Sequence, residues 1–301
     1  MERSLSTLAT EMANPATSDI DRMTPLEIAQ AINAEDAKVA LAVQKVLPEI
    51  AQAIEEIAKR MRRGGRLIYV GAGTSGRLGA LDASECPPTF NISPESVVAC
   101  IAGGPIAFGL AHEDLEDNAG AGQADVAKLN LTEADIVVGI TASGRTPYAR
   151  GALAYARQQG ALTIGLACNA AAPIVDEVDI MIAPEVGPEV IAGSTRLKAG
   201  TAQKMVLNML STGAMILLGK TFGNLMVDVQ TSNYKLRKRA LSIVRQATGL
   251  DEEAAEEMLE RAGGETKTAI LMARANLSAG EARQQLAAHG QVLRAALDAL
   301  S

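Results

Sequence analysis

The 301-residue chain has no tryptophan, three phenylalanines and four tyrosines. Its core must therefore be aliphatic, built from Ala, Leu, Val, Ile and eleven Met. Stacking platforms for single-stranded nucleic acid need rings, and there are almost none to supply them. A formal net charge of −7 argues likewise against a general nucleic-acid or membrane-surface binder, so an anionic ligand needs a local site. Cysteine is scarce too: Cys86, Cys100 and Cys168 are widely spaced and odd in number, which fits a reducing compartment without structural disulfides. No long apolar run exists. The longest, Met205 to Gly219, is interrupted by Asn208, Ser211 and Thr212 and falls short of the ~20 residues a bilayer span needs. The opening MERSLSTLATEMANPATSDID lacks the apolar segment of a signal peptide. These absences predict a cytoplasmic protein with neither a membrane nor a nucleic acid as partner.

What is present is patterned. Residues 1–24 are polar and read as an N-terminal arm. From Leu26 to Gly65 apolar residues recur at three- and four-residue intervals, which predicts helix. Short apolar runs then follow at 66–70, 97–102, 135–140, 161–167 and 179–183, separated by helical stretches at 75–84, 105–128 and 147–158. Buried strands alternating with helices predict an α/β fold, a parallel sheet sandwiched by helices. A long helix at about 196–218 closes that unit. The chain turns helical again from about 224, and TGLDEE, GGETK, LSAGE and HGQ divide residues 248–301 into three or four short helices. The expected organisation is an arm at 1–24, a sheet domain with flanking helices at 25–240, and a small all-α bundle at 241–301.

Three loops carry candidate chemistry. Gly71-Ala72-Gly73-Thr74-Ser75-Gly76 follows the first strand and matches the G-x-G-x-x-G dinucleotide fingerprint. That fingerprint also wants an acidic residue about 20 positions on, after the second strand; here the second strand ends in Ala102-Gly103-Gly104, and Glu95 precedes it. The loop fits a phosphate better, held by backbone N–H groups, hydroxyls and the helix dipole. Thr141-Ala142-Ser143-Gly144-Arg145-Thr146-Pro147 follows the third strand in the same way, with Thr146 as N-cap and Pro147 in the first helical turn. Both loops should open at the carboxyl edge of the sheet, where open α/β sheets bind ligands. In Gly193-Ser194-Thr195-Arg196-Leu197-Lys198, Ser194 or Thr195 should cap the long helix. Arg196 and Lys198 would then sit at the positive end of its dipole and call for a compensating anion, either substrate or a carboxylate.

Glu85, in ASECPP, and Glu116, in HEDLED, could form the pair of carboxyls that acid–base work requires, although spacing alone does not bring them together. Other features carry less. Cys86 has no evident His partner, His112 and Glu116 at i,i+4 are a poor metal site, and His289 reads as structural. Lys235, Arg237, Lys238 and Arg239 read as a solvated helical face.

The segments GAGTSGRLGALDASECPPTF, VVGITASGRTPYARGAL, GSTRLKAGTAQKMVLNMLSTGAM and FGNLMVDVQTSN closely resemble the N-acetylmuramic acid 6-phosphate etherases, members of the sugar isomerase (SIS) superfamily together with the glucokinase regulatory protein. The resemblance runs from Thr24 to the C-terminus, where it implies a ubiquitin-associated-like bundle. It implies cleavage of a lactyl ether from a sugar phosphate by elimination and then hydration, with no metal or redox cofactor, in a homodimer serving cell-wall sugar recycling. It further implies Glu85 as the principal acid–base residue and Glu116 as the C2 base. Thr74, Ser75, Ser143 and Thr146 would surround the sugar phosphate; Ser194 and Lys198 of the third loop are further candidates for binding the substrate. The segment PIAFGLAHEDLEDN departs from the family pattern, though Glu113 and Glu116 keep its three-residue spacing. A SIS aldose–ketose isomerase and a sugar-phosphate-sensing regulator are the alternatives.

Overall fold

The computed structural model describes residues 9–108, 113–229 and 234–300, with the side chains of 106, 108, 113 and 114 outside that description. The chain divides into two compact units. The first comprises the residues up to Ser84 with Pro94–Ser211, and the second comprises Glu85–Ser93 with Thr212–Ser301. The breaks at Ser84 and Ser211 fall inside the helices Gly73–Phe90 and Lys198–Leu217.

In the first unit the elements run α1 (Pro25–Gln44), α2 (Leu47–Met61), β1 (Leu67–Gly71), α3 (Gly73–Phe90), β2 (Val97–Ile101), α4 (Glu113–Glu116), α5 (Ala119–Ala127), β3 (Ile136–Ile140), α6 (Pro147–Gln158), β4 (Leu162–Leu166), β5 (Ile180–Ile182) and α7 (Lys198–Leu217). All five strands pair in parallel, in the order β2-β1-β3-β4-β5. β1, β3 and β4 are buried at every position, as strands covered on both faces must be. The strand runs read from the sequence agree with the observed strands to within a residue or two at each end.

The helices differ more. The helical stretch expected between 26 and 65 is two helices that meet at Lys45–Val46, because Pro48 enters the second in its first turn and has no N–H to continue the first. Conversely, α3 does not stop near 84. It runs through Pro87 and Pro88 and ends where Asn91, at φ 51°, takes the left-handed conformation. The stretch 105–128 is not one helix either: a 3-10 turn at Gly104–Phe108 and the four-residue α4 precede α5, whose start is capped by the Asn118 side chain. The arm is packed rather than free over its described part. Thr10, Asn14 and Thr17 are buried; Thr17 Oγ1 donates to the Val190 carbonyl at 2.8 Å and Asn14 Nδ2 to that of Pro188 at 3.3 Å.

The second unit adds a two-stranded antiparallel ribbon, β6 (Thr221–Phe222) and β7 (Leu225–Met226), and five helices: α8 (Tyr234–Thr248), α9 (Glu252–Arg261), α10 (Thr266–Ala275), α11 (Ala279–Ala288) and α12 (Leu293–Asp298). Their core joins Val244, Leu259, Ile270, Leu271, Leu286 and Leu293. Asp251 caps α9, and Ser278 with Glu281 forms a capping box on α11. The four short helices at 248–301 are therefore present as read. Among the described residues no helix is long and apolar enough to cross a membrane.

The first glycine-rich loop owes its composition to close packing. A Cβ on Gly76 would lie 2.5 Å from the Gly71 carbonyl oxygen and 2.7 Å from Ile101 Cγ1, so the start of α3 rests directly on the end of β1. Gly76→Ala is expected to destabilise the fold by about 1–3 kcal/mol through overpacking, measurable as a lower urea midpoint; an unchanged midpoint would contradict this contact.

Candidate active site

Strand order places the site. The chain reverses its direction of propagation between β1 and β3, the switch point at which sheets of this order open a crevice beyond their carboxyl ends. The two strand-to-helix loops flanking it are residues 71–76 and 141–147.

In the second loop the hydroxyls form a relay. Gly144 N–H donates to Thr141 Oγ1 at 3.2 Å, Thr141 Oγ1 lies 2.8 Å from Thr146 Oγ1, and Thr146 Oγ1 donates to Glu116 Oε1 at 3.2 Å. A threonine has a single hydroxyl proton. Thr146 gives its proton to the carboxylate, so Thr141 is the donor between the two hydroxyls. Thr146 stands at the N-cap of α6 but does not cap it with its side chain; the expected cap is replaced by the contact to Glu116. Ser143 Oγ accepts from Arg145 N–H at 3.2 Å, a bond that does not consume its proton.

In the first loop Thr74 is half-buried. Ser75 is buried, and its hydroxyl donates to Gln203 Oε1 on α7 at 2.9 Å, so its proton is engaged by the protein. A second tie between α3 and α7 lies deeper. Asp82 is buried and accepts from Tyr69 Oη at 2.8 Å, Asn208 Nδ2 at 2.7 Å and Ser211 Oγ at 3.2 Å. Burial pushes its carboxyl up, against the opposing pull of those three donors.

The third loop turns away from the expected role. α7 starts at Lys198, and its cap is neither Ser194 nor Thr195. The buried Glu189 carboxylate accepts the N–H groups of Lys198 and Ala199, both at 2.9 Å. Lys198, 1% exposed, pairs through Nζ with Glu35 Oε2 at 2.6 Å. Carboxylates of the protein thus supply the compensating anion that the cation at the helix start called for. Lys198 is committed to the interior pair, and Ser194 is half-buried in the preceding turn.

Of the carboxylates, Glu116 is joined to a candidate phosphate residue. Glu85 is exposed on the last third of α3, in the stretch that clusters with the second unit. His112 lies outside the described residues, as do residues 230–233 of the FGNLMVDVQTSN segment. Among the described residues no group of three His, Cys, Asp or Glu side chains is placed to hold a metal ion.

Comparison with known proteins decides the family. The chain is 56% identical to an N-acetylmuramic acid 6-phosphate etherase of Serratia proteamaculans over 97% of its length and 99% of the relative's. The chain belongs to the N-acetylmuramic acid 6-phosphate etherase family. Etherases of Vibrio vulnificus (55% identical, covering 99% of each chain) and Caldanaerobacter subterraneus (59%, covering 89% and 88%) agree. Residues 49–157 match the glucokinase regulatory protein N-terminal SIS domain, residues 117–213 the SIS domain, and residues 223–268 the C-terminal lid domain of glucokinase regulatory protein. The fold is shared with a Bacteroides fragilis protein described as a phosphosugar isomerase, at TM-score 0.50 and 20% identity over 64% of this chain and 91% of that one. Within this etherase-family fold, sequence reasoning missed Thr141, Gln203, Glu189 and Glu35. Thr141 carried a signal, as the first hydroxyl of a hydroxyl-rich loop; the other three come from distant segments with no local pattern to mark them.

Proposed function

We propose that the chain converts N-acetylmuramate 6-phosphate and water into N-acetylglucosamine 6-phosphate and D-lactate, acting as a carbon–oxygen lyase. The observation that carries the reading is the Thr146–Glu116 hydrogen bond at the switch point. It holds a carboxylate beside loops built for a phosphate. In the open-chain sugar the C1 aldehyde acidifies the C2 proton. Glu116 takes that proton, the electron pair forms the C2–C3 double bond, and the C3–oxygen bond breaks as Glu85 protonates the departing lactate. Water, deprotonated by Glu85, then adds at C3, and C2 recovers a proton from Glu116. The roles are those of a general base and a general acid that reverse between the half-reactions. Thr74 and Ser143 with the two loop backbones hold the phosphate, Thr146 contributing its backbone while its hydroxyl holds Glu116, and Ser75 acts from behind through Gln203.

The test is to incubate purified protein with N-acetylmuramate 6-phosphate in D2O and to assay D-lactate. Lactate together with deuterium at C2 of the product supports the reading; no lactate from folded protein overturns it. Thr146→Val keeps the side-chain shape and removes the donor to Glu116. It is expected to lower kcat about tenfold, the loss typical of a hydrogen bond to a charged group, with a smaller effect on stability. Steady-state kinetics beside a melting curve would check this, and an unchanged kcat would remove the relay from the reaction. The family resemblance further supports a cytoplasmic homodimer, for which light scattering should give twice the chain mass.

A further inference from the structure

The second unit contains a cavity of about 460 Å³, within the size range of small-molecule sites. Asp228, Glu265, Thr266, Lys267, Thr268 and Gln291 contribute to its wall. The loop Gly263-Gly264-Glu265 leads into α10, whose first three residues, Thr266, Lys267 and Thr268, are 2%, 6% and 2% exposed. The opening N–H groups of a helix have no partner within it, and a buried helix start without a cap is costly. Glu265 occupies the N-cap of α10 but makes no side-chain cap bond. Its carboxylate accepts instead from Thr268 Oγ1 and from Arg283 Nε, both at 2.8 Å. Thr266 Oγ1 is buried with no hydrogen-bond partner among the described residues. A buried polar atom left unpaired costs roughly 1–3 kcal/mol, and here it lies beside an uncapped helix start in a cavity wall.

Charged groups line and flank the cavity. Lys267 Nζ donates to Asp228 Oδ2 and to the Gln291 carbonyl, both at 2.9 Å, and Lys220 Nζ shares the same Asp228 oxygen at 2.7 Å. Of the charged groups in the wall, Lys267 is a cation and Asp228 and Glu265 are carboxylates; each carboxylate is also paired with a cation from outside the wall, Lys220 and Arg283, and the positive end of the α10 dipole adds to them. Burial pushes the Lys267 ammonium down from its ordinary range, which Asp228 opposes; a further anion would oppose it more.

We propose that the amino end of α10, with the Thr266 hydroxyl and the Lys267 ammonium, binds the phosphate group of a small molecule in this cavity, whose wall contains no residue of the switch-point loops. A phosphate's oxygens can accept the helix N–H groups, the hydroxyl and the ammonium together, and its larger negative charge suits the helix start better than a carboxylate's. The cavity exceeds a bare phosphate, so a phosphate ester of sugar size also fits. The proposal does not depend on the etherase reaction.

The experiment is a titration of the isotope-labelled full chain, followed by amide 1H–15N correlation spectra. Inorganic phosphate and N-acetylglucosamine 6-phosphate are the two probes. The expected result is saturable movement of the Thr266, Lys267 and Thr268 resonances, with tighter binding of the ester if the sugar ring fills the cavity and equal binding if free phosphate is the ligand. Thr266→Val is expected to weaken that response roughly tenfold or more while leaving the response at 143–146 unchanged. Without ligand it should melt no lower than the wild type, since it deletes an unpaired hydroxyl. Lys267→Met should weaken binding further. Silence at 266–268 with both probes, or an undiminished response in Thr266→Val, would overturn the proposal.

Discussion

Glu85→Gln is expected to lower D-lactate release by roughly 10²–10⁴-fold, the contribution usual for a positioned acid–base group. The amide keeps the size and polarity of the side chain but can neither give a proton to the leaving lactate nor take one from water. Because Glu85 is exposed, the substitution disturbs no interior packing, and the melting temperature should stay within the small range typical of surface changes. Glu116→Gln should fail differently. If Glu116 takes the C2 proton, its amide variant stops deuterium exchange at C2, whereas Glu85→Gln allows exchange but no loss of lactate. Measuring exchange and lactate in both variants separates the two roles, and exchange that survives in Glu116→Gln would reassign the base.

Lys198→Met should produce the largest loss of stability. It leaves Glu35, 3% exposed, without its buried partner. Removing one member of a buried ion pair costs about 3–5 kcal/mol because the remaining charge is stranded. Glu35 is held on its other side by the exposed Lys38, which should keep the loss toward the lower end. Burial works against ionisation of Glu35, but the hydrogen bonds from Lys198 and Lys38 and the Lys198 charge outweigh it, holding the carboxyl down at about 2 from an ordinary 4.5. A carboxyl depressed in the folded state contributes stability above its unfolded pKa and loses it as the pH falls toward the folded one. The wild type should therefore weaken between pH 4.5 and about 2, and Lys198→Met should show a shallower acid slope from a lower starting point. Denaturant midpoints across that window would check both, and a wild-type slope retained in the variant would remove the pair as its source. A double variant with Glu35→Met should recover part of the loss, since replacing both charges by apolar groups removes the stranded ion.

Both variants bear on how far the sequence could be read. The five strands were legible because fully buried parallel strands are short, continuous apolar runs, and Leu67–Gly71 or Ile136–Ile140 can hardly be anything else. The helix ends were less so. α3 ran on past the stretch 75–84 through Pro87 and Pro88 to Phe90, while Pro48 ended α1 sooner than periodicity implied. Thr146 had the right position for a cap and a different hydrogen-bond partner, because Glu116 arrives from a segment thirty residues earlier.

By itself, then, the sequence determined the aliphatic core, the parallel sheet, the glycine- and hydroxyl-rich loops at its carboxyl edge and, through ASECPP, the family. Those are local properties, set by periodicity, turn chemistry and short motifs. Tertiary structure decided the partners: Glu116 for Thr146, Gln203 for Ser75, Glu189 for the start of α7 and Glu35 for Lys198. The reason is physical. A buried polar group must be matched in space, and the matching group may come from anywhere along the chain, so the composition around Lys198 could announce the need for an anion but not which residue would meet it.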